Sequence, residues 1–297
     1  MSLHVVGDLP MPPSLDRRFL EERLLPAMRG LIRLGYFGLE IEGVEHLPRD
    51  GRAVFAPNHA GWFPLDAFFL GLAARETLGP DSAPRRRRKG PSSGADVAAS
   101  WFRRPERLPP QVRTAVIFPE GVEGNTKPFW EAYRMRPWKR GFVRVAGALG
   151  APIVPVAILG GEECLPVAWT VRFLEPLIGS IVGLPLSVVP LPTRWRVVFH
   201  APVDVTARGR AALVDAEYSA HIARSIRATV QATLDREARD RTAAQVASLV
   251  ALARGAAPGP APSGTAQEPA HGGRLVAIGE RVARAVAAHR QRAVPTP

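Results

Sequence analysis

His59 and Asp66 carry the strongest chemical signal in this sequence. They lie in the segment Pro57-Asn58-His59-Ala60-Gly61-Trp62-Phe63-Pro64-Leu65-Asp66, directly after the short apolar run Ala53 to Ala56. A histidine titrates near neutral pH and so makes a natural general base. A carboxylate a few residues on can accept the second ring N–H, fix the tautomer and stabilise the imidazolium. Were the whole segment helical, the two side chains would stand about 10 Å apart along the axis. Gly61 and Pro64 instead predict a loop, with a helix starting near Pro64 and Asp66 folding back towards His59. A second segment, Ile117-Phe118-Pro119-Glu120-Gly121, follows another apolar run. On residue types alone, a structural pair remains the commoner explanation for a histidine and an aspartate at this spacing.

The elements that must position these residues follow from periodicity. Leu39 and Ile41 alternate with Glu40 and Glu42, as in a half-buried strand. Further strands are predicted at 53–56, 115–118, 153–159 and 196–199. Helical patterns fall at 65–78 and 142–149, with a long helix over 211–253. Strands alternating with helices predict an α/β fold: a mixed, largely parallel sheet flanked by helices. Ser14 is a candidate N-cap, with Asp16 in the first turn, for an N-terminal amphipathic helix. Leu20, Leu24, Met28, Leu31 and Ile32 form its apolar face and Pro26 a kink. The expected organisation is an N-terminal segment 1–14, an α/β domain 15–254, an Ala/Pro/Gly-rich linker 255–273, and a basic amphipathic helical tail 274–297. Both predicted strand-to-loop junctions belong at the carboxyl ends of strands, where open α/β sheets bind ligands.

Composition narrows the function classes. The 297 residues are 46% apolar and contain one cysteine, Cys164, which excludes an intramolecular disulfide framework and any CxxC site. Without a base to pair with, Cys164 reads as an inert core or pocket-lining thiol. The chain has no GxSxG elbow, no phosphate loop of the GxxxxGK[ST] type, no GxGxxG and no HExxH. Its net charge is +12, which points to anionic partners. Ten basic residues face four acidic ones between Arg75 and Arg113, including the run Arg85 to Lys89. So dense a like charge predicts a solvated loop. Without interleaved aromatics it points away from nucleic acid. Pro176 to Pro192 is apolar throughout but broken by prolines and glycines. It reads equally as a buried loop or as a segment dipping into a membrane face. Trp62 and Phe63 suit either an acyl pocket or ordinary packing.

Asn58-His59 with the downstream Asp66, then Phe118-Pro119-Glu120-Gly121, then the apolar Ala151 to Ala157, resemble the glycerophospholipid acyltransferase superfamily. The likeness extends to Pro190 to Phe199 and covers about 20–240 in patches. It implies an O-acyltransferase that moves a fatty acyl group from acyl-CoA or acyl-carrier protein to a glycerolipid hydroxyl, with no metal or cofactor. By that resemblance His59 is the general base and Asp66 orients it. Asn58, Phe118, Pro119, Glu120 and Gly121 shape the acceptor site, and Lys127 and Arg140 supply cations for a phosphate or headgroup. The implied setting is cytoplasmic, peripheral to the inner face of the membrane and against its anionic surface.

Three departures mark this chain. His-x6-Asp replaces the usual His-x4-Asp, which resembles a bacterial branch similar to mono- and diacylglycerol acyltransferases. Val122-Glu123-Gly124 replaces the Thr-Arg-Ser that commonly follows Phe-Pro-Glu-Gly. A glycine-to-arginine block between the two motifs has no copy in Arg75 to Arg113. The alternative reading is therefore an acyltransferase-fold lipid-binding protein with impaired catalysis.

Overall fold

The protein's structure, a computed structural model, describes residues 3–4, 20–48, 51–61, 65–78, 113–173, 175, 181–208 and 215–253. Several expectations lie outside the described residues: the Ser14 cap, the Trp62–Phe63 pair, the Arg85–Lys89 run, the linker 255–273 and the tail 274–297. The chain divides into two units, Met1–Leu234 and Asp235–Pro297. Both sheets and every residue of the candidate site lie in the first.

Six strands form the main sheet: β1 (Leu3–His4), β2 (Phe37–Glu42), β3 (Ala53–Pro57), β4 (Thr114–Ile117), β5 (Ile153–Leu159) and β8 (Thr193–Phe199). Their spatial order is β1-β4-β3-β5-β8-β2. β3 runs parallel to both β4 and β5, β2 parallel to β8, while β8 opposes β5 and β1 opposes β4. The sheet is thus mixed and largely parallel, as expected. Every residue of β3 and β5 is buried, the continuous apolar pattern of strands covered on both faces. β8 buries only alternate residues, Thr193, Trp195, Val197 and Phe199.

Alternation along the strands sorts the core into two layers. Phe55, Val116, Val154, Val156, Trp195 and Phe199 pack with Phe69 and Leu70 of helix α2 (Leu65–Leu78). Phe69 stacks on Trp195 with ring centroids 4.1 Å apart. Burying a side chain of that size contributes about 1.5–3 kcal/mol. On the other face Val54, Ala56, Ala115 and Ile117 meet Phe142, Val143 and Ala146 of α4 (Gly141–Leu149), with Ala223 and Ile226 of α6 (Ala216–Ala253).

The N-terminal helix is found as a π-helical turn, Leu20–Leu24, running into α1, Leu25–Arg33. Pro26 stands in the first turn of α1, just where the π-helical turn gives way to α-helix. Met28 is buried and Leu24, Leu31 and Ile32 pack on the first core layer, so the apolar face is docked on the sheet. The described part of the Pro176–Pro192 run holds a strand. β6 (Val167–Val171) and β7 (Val182–Pro185) pair antiparallel as a separate ribbon. Two short turns of helix, α3 (Val122–Asn125) and α5 (Gly161–Cys164), follow β4 and β5. Among the described residues no helix is long and apolar enough to cross a membrane.

Candidate active site

Parallel β4, β3 and β5 end on one edge of the sheet, so their exits converge: Phe118 to Gly121, Asn58 to Gly61, and Gly160 to Cys164. The chain leaves β3 for α2 on one face and β4 for α4 on the other. Neighbouring strands whose connections part in this way open a crevice at their carboxyl ends.

His59 and Asp66 meet at those strand ends. The ring Nδ1 of His59 lies 2.5 Å from Asp66 Oδ2. A carboxylate oxygen only accepts, so Nδ1 carries a proton, and in the neutral ring the lone pair is then on Nε2. The same Oδ2 accepts the Ala60 N–H at 3.0 Å, and Oδ1 accepts the Ala67 N–H at 2.7 Å. Asp66 therefore holds the histidine loop and the start of α2 together. Asn58 to Gly61 are outside any helix or strand and α2 starts at Leu65, while Pro64 lies outside the described residues. Both side chains are buried, His59 being 1% exposed. Phe118 lies against the imidazole with ring centroids 4.3 Å apart.

Glu120 joins the exit of β4 to that of β3. Its Oε1 accepts the His59 N–H at 2.9 Å and its Oε2 the Arg136 N–H at 2.7 Å. Asn58 does the same towards β5: its Nδ2 donates to the Ile158 carbonyl at 2.9 Å, and its Oδ1 accepts the Ile158 N–H at 2.7 Å. The resemblance put both residues in the acceptor pocket. The structure engages their polar atoms with the backbone, where they fix the histidine loop. Pro119 likewise accepts the Lys139 N–H through its carbonyl, and the Gly121 N–H donates to the Phe118 carbonyl. Gly124, in α3, lies beneath the histidine: a Cβ there would stand 2.7 Å from His59 Cβ and 2.8 Å from Glu120 Cβ.

Behind this layer is a buried ionic cluster. Lys127 Nζ lies 2.9 Å from Glu162 Oε1 and 3.6 Å from Glu120 Oε2. Burial alone would depress the lysine, but the two carboxylates outweigh it and hold its ammonium above the usual lysine range. Burial pushes Glu162 up, against the pull of Lys127. The ammonium is therefore an internal counter-ion rather than a cation offered to a headgroup. Tyr133 completes the cluster: its N–H donates to Glu162, its hydroxyl donates to Glu163 and accepts the Gly160 N–H at 3.0 Å. Helix α6 braces the loop. Gln231 bonds the Tyr133 carbonyl and the Met135 N–H, and Arg227 donates to the Met135 and Arg136 carbonyls.

Arg140 is exposed and lines a cavity of about 620 Å³ with Asp215, Glu217, His221 and Arg224, none of them in the His59 cluster. Cys164 is buried, and burial raises its thiol well above the ordinary range, in keeping with an inert role. Sequence reasoning missed Gly124, Tyr133, Glu162 and Glu163. The glutamates did carry a signal, since Gly160-Gly161-Glu162-Glu163 follows a predicted strand as the two chosen segments do.

Against known proteins, a family model described as Acyltransferase matches residues 86–159. The match includes Phe118 to Gly121 but stops short of His59 and Asp66. An uncharacterised protein of Mycobacterium tuberculosis is 30% identical over 246 residues, 75% of this chain and 68% of that one. A Mycobacterium leprae protein is 30% identical over 254 residues, 75% of this chain and 66% of that one. A 1-acyl-sn-glycerol-3-phosphate acyltransferase of Limnanthes alba is 28% identical over 162 residues, 47% of this chain and 54% of the plant protein. The crystal structure of the lysophosphatidate acyltransferase PlsC from Thermotoga maritima aligns with a TM-score of 0.39 at 15% identity, covering 76% of this chain and 84% of that one. With the mycobacterial relatives matched over most of their length and the family model spanning the second motif, the chain belongs to the glycerophospholipid acyltransferase superfamily and is an acyltransferase.

Proposed function

We propose that the protein transfers a fatty acyl group from a thioester, acyl-CoA or acyl-carrier protein, to a glycerolipid hydroxyl, with His59 as general base. The observation that carries this reading is the 2.5 Å contact of His59 Nδ1 with Asp66 at the strand edge. It leaves Nε2 to take the acceptor's hydroxyl proton as the oxygen attacks the thioester carbonyl. The tetrahedral intermediate collapses by breaking the C–S bond, and the imidazolium returns its proton to the departing thiolate. Asp66 stabilises that imidazolium, a contribution worth orders of magnitude in rate. Glu120, Asn58 and Lys127 act through the loop backbone, holding His59 in place for a ternary complex, where positioning supplies much of the acceleration.

His59 is only 1% exposed, so acceptor entry requires the site to open. The catalytic unit is taken as residues 15–254, working peripherally at the inner face of a membrane where its acceptor resides. The same burial favours a second reading, a lipid-binding protein of this fold without turnover. One experiment separates them: purified protein is given acyl-CoA or acyl-carrier protein with a panel of lysolipids and acylglycerols, and thiol release is followed. Turnover in the wild type that His59→Ala abolishes is the expected result. Binding of lipid with no thiol release from any pair establishes the second reading.

A further inference from the structure

Tyr133 holds φ at 61° and, among the described residues, is the one non-glycine in the left-handed region. A Cβ makes that conformation costly. It persists where surrounding contacts over-determine it, and such places cluster at functional sites. Here the contacts are on the page. The ring is buried, with 3% of the residue exposed. The Tyr133 N–H donates to Glu162, and the hydroxyl donates to Glu163 while accepting the Gly160 N–H at 3.0 Å. The carbonyl accepts Gln231 Nε2 at 2.8 Å. Packing of an aromatic ring would account for the burial, but not for a strained backbone whose amide, carbonyl and hydroxyl are all bound.

Three routes lead from this residue to His59. The hydroxyl pins the turn Gly160 to Cys164, which presses on the histidine loop through bare backbone: a Cβ on Gly61 would lie 2.4 Å from the Gly161 carbonyl oxygen. The amide holds Glu162, whose Oε1 lies 2.9 Å from Lys127 Nζ; that ammonium is 3.6 Å from Glu120 Oε2, and Glu120 Oε1 accepts the His59 N–H. Three residues along the loop, the Arg136 N–H donates to the same Glu120 Oε2 at 2.7 Å. Both supports of the histidine loop, the acid turn and Glu120, are therefore set from Tyr133.

We infer that Tyr133 is a positioning residue for His59: its hydroxyl, tying Glu163 to the Gly160 amide, fixes the turn against which the imidazole-bearing loop is seated. The effect on rate rests on the proposed acyl transfer; the placement of the imidazole does not. The test uses full-length protein carrying ¹⁵N-labelled histidine, with the His59 ring nitrogens assigned by their loss in His59→Ala. Tyr133→Phe keeps the ring and removes only the hydroxyl. It should shift the His59 Nδ1 resonance and lower kcat by about tenfold, with KM for donor and acceptor unchanged, well below its melting temperature. Tyr36→Phe is the control. Its hydroxyl donates to the Pro190 carbonyl at 2.7 Å, next to the edge strand β2, so its loss should lower the melting temperature and leave the His59 resonances and kcat alone. Should Tyr133→Phe fail to fold, Gln231→Leu, which frees the Tyr133 carbonyl from α6, should move the same resonance.

Unchanged His59 resonances in Tyr133→Phe, or in Gln231→Leu where the first variant does not fold, overturn the inference. So does an active enzyme in which kcat falls without a shift, or a shift leaves kcat intact. An equal loss of kcat in Tyr36→Phe overturns it too, since stability alone would then be the cause. A shifted His59 resonance in a protein without any acyl transfer upholds the positioning and removes the catalytic reading instead.

Discussion

Glu120 accepts the backbone N–H of His59, so the loop after β4 sets where the loop after β3 presents its imidazole. Its second oxygen takes the Arg136 N–H, and both oxygens thus face donors. Glu120→Gln has the same shape but turns an NH₂ group towards one of those donors. Leaving a buried N–H unpaired costs about 1–3 kcal/mol. The variant should melt lower and turn over at least about tenfold more slowly, read by thermal denaturation and initial rates.

Gly124 makes a separate test of the same layer. An added Cβ would fall 2.7 Å from His59 Cβ and 2.8 Å from Glu120 Cβ, contacts that no rotamer change relieves. Gly124→Ala should lower kcat by about tenfold or more and destabilise by about 1–3 kcal/mol. Gly71, whose added Cβ meets nothing within 4 Å, is the control: Gly71→Ala should be neutral or slightly stabilising by denaturant titration, since alanine is the better helix former.

Asp66→Asn probes the tautomer. Oδ2 serves both His59 Nδ1 and the Ala60 N–H, while Oδ1 serves the Ala67 N–H. An amide cannot accept at both positions, so one N–H loses its partner or the imidazole proton moves to Nε2. The first arrangement keeps the tautomer but removes the charge that stabilises the imidazolium, the second takes away the Nε2 lone pair, and in either kcat should fall, by about 10²–10⁴ where the tautomer is lost, with the fold retained. Circular dichroism alongside steady-state kinetics checks this, and wild-type activity in Asp66→Asn would remove the relay from the mechanism.

The Lys127 cluster predicts a dependence on charge balance and pH. Lys127→Met leaves Glu120 and Glu162 buried without their counter-ion and should cost about 3–5 kcal/mol. Adding Glu162→Gln returns the cluster to its original net charge, so the double variant should recover part of the stability and of the activity. Glu162 is raised from its ordinary value of 4.5, so the folded chain keeps that proton longer than the unfolded chain does. Stability should therefore decline as pH rises from that value through the raised one. Glu162→Gln should flatten this decline in urea midpoints measured across the mildly acidic range. Lys127 is also raised, so its contribution is lost only at strongly alkaline pH, above its ordinary 10.5.

Much of the frame could be read from the residues. Uninterrupted apolar runs marked β3 and β5 because both strands are covered on both faces, and Gly61 marked the end of the histidine loop, ahead of the helix that carries Asp66. The ribbon of β6 and β7 was harder. Its strands are short, prolines and glycines surround them, and their pairing is a long-range event that leaves no periodic trace. The resemblance cast Lys127 as a cation for a phosphate or headgroup, whereas its ammonium is buried between two glutamates. Its burial depends on Glu162, which approaches only when β5 lies beside β3. Tyr133 was invisible for a similar reason: it holds φ at 61° in a loop because α6, far along the chain, clamps its carbonyl.

Gly61 and Gly161 touch through bare backbone. A Cβ on Gly61 would lie 2.4 Å from the Gly161 carbonyl oxygen, and one on Gly161 2.6 Å from that of Ala60. Two stretches of peptide are thus pressed together with no rotamer between them to absorb motion. Whatever displaces the turn bearing Glu162 is passed to the turn bearing the imidazole almost without slack, and variation in the acidic turn will be heard first at the base.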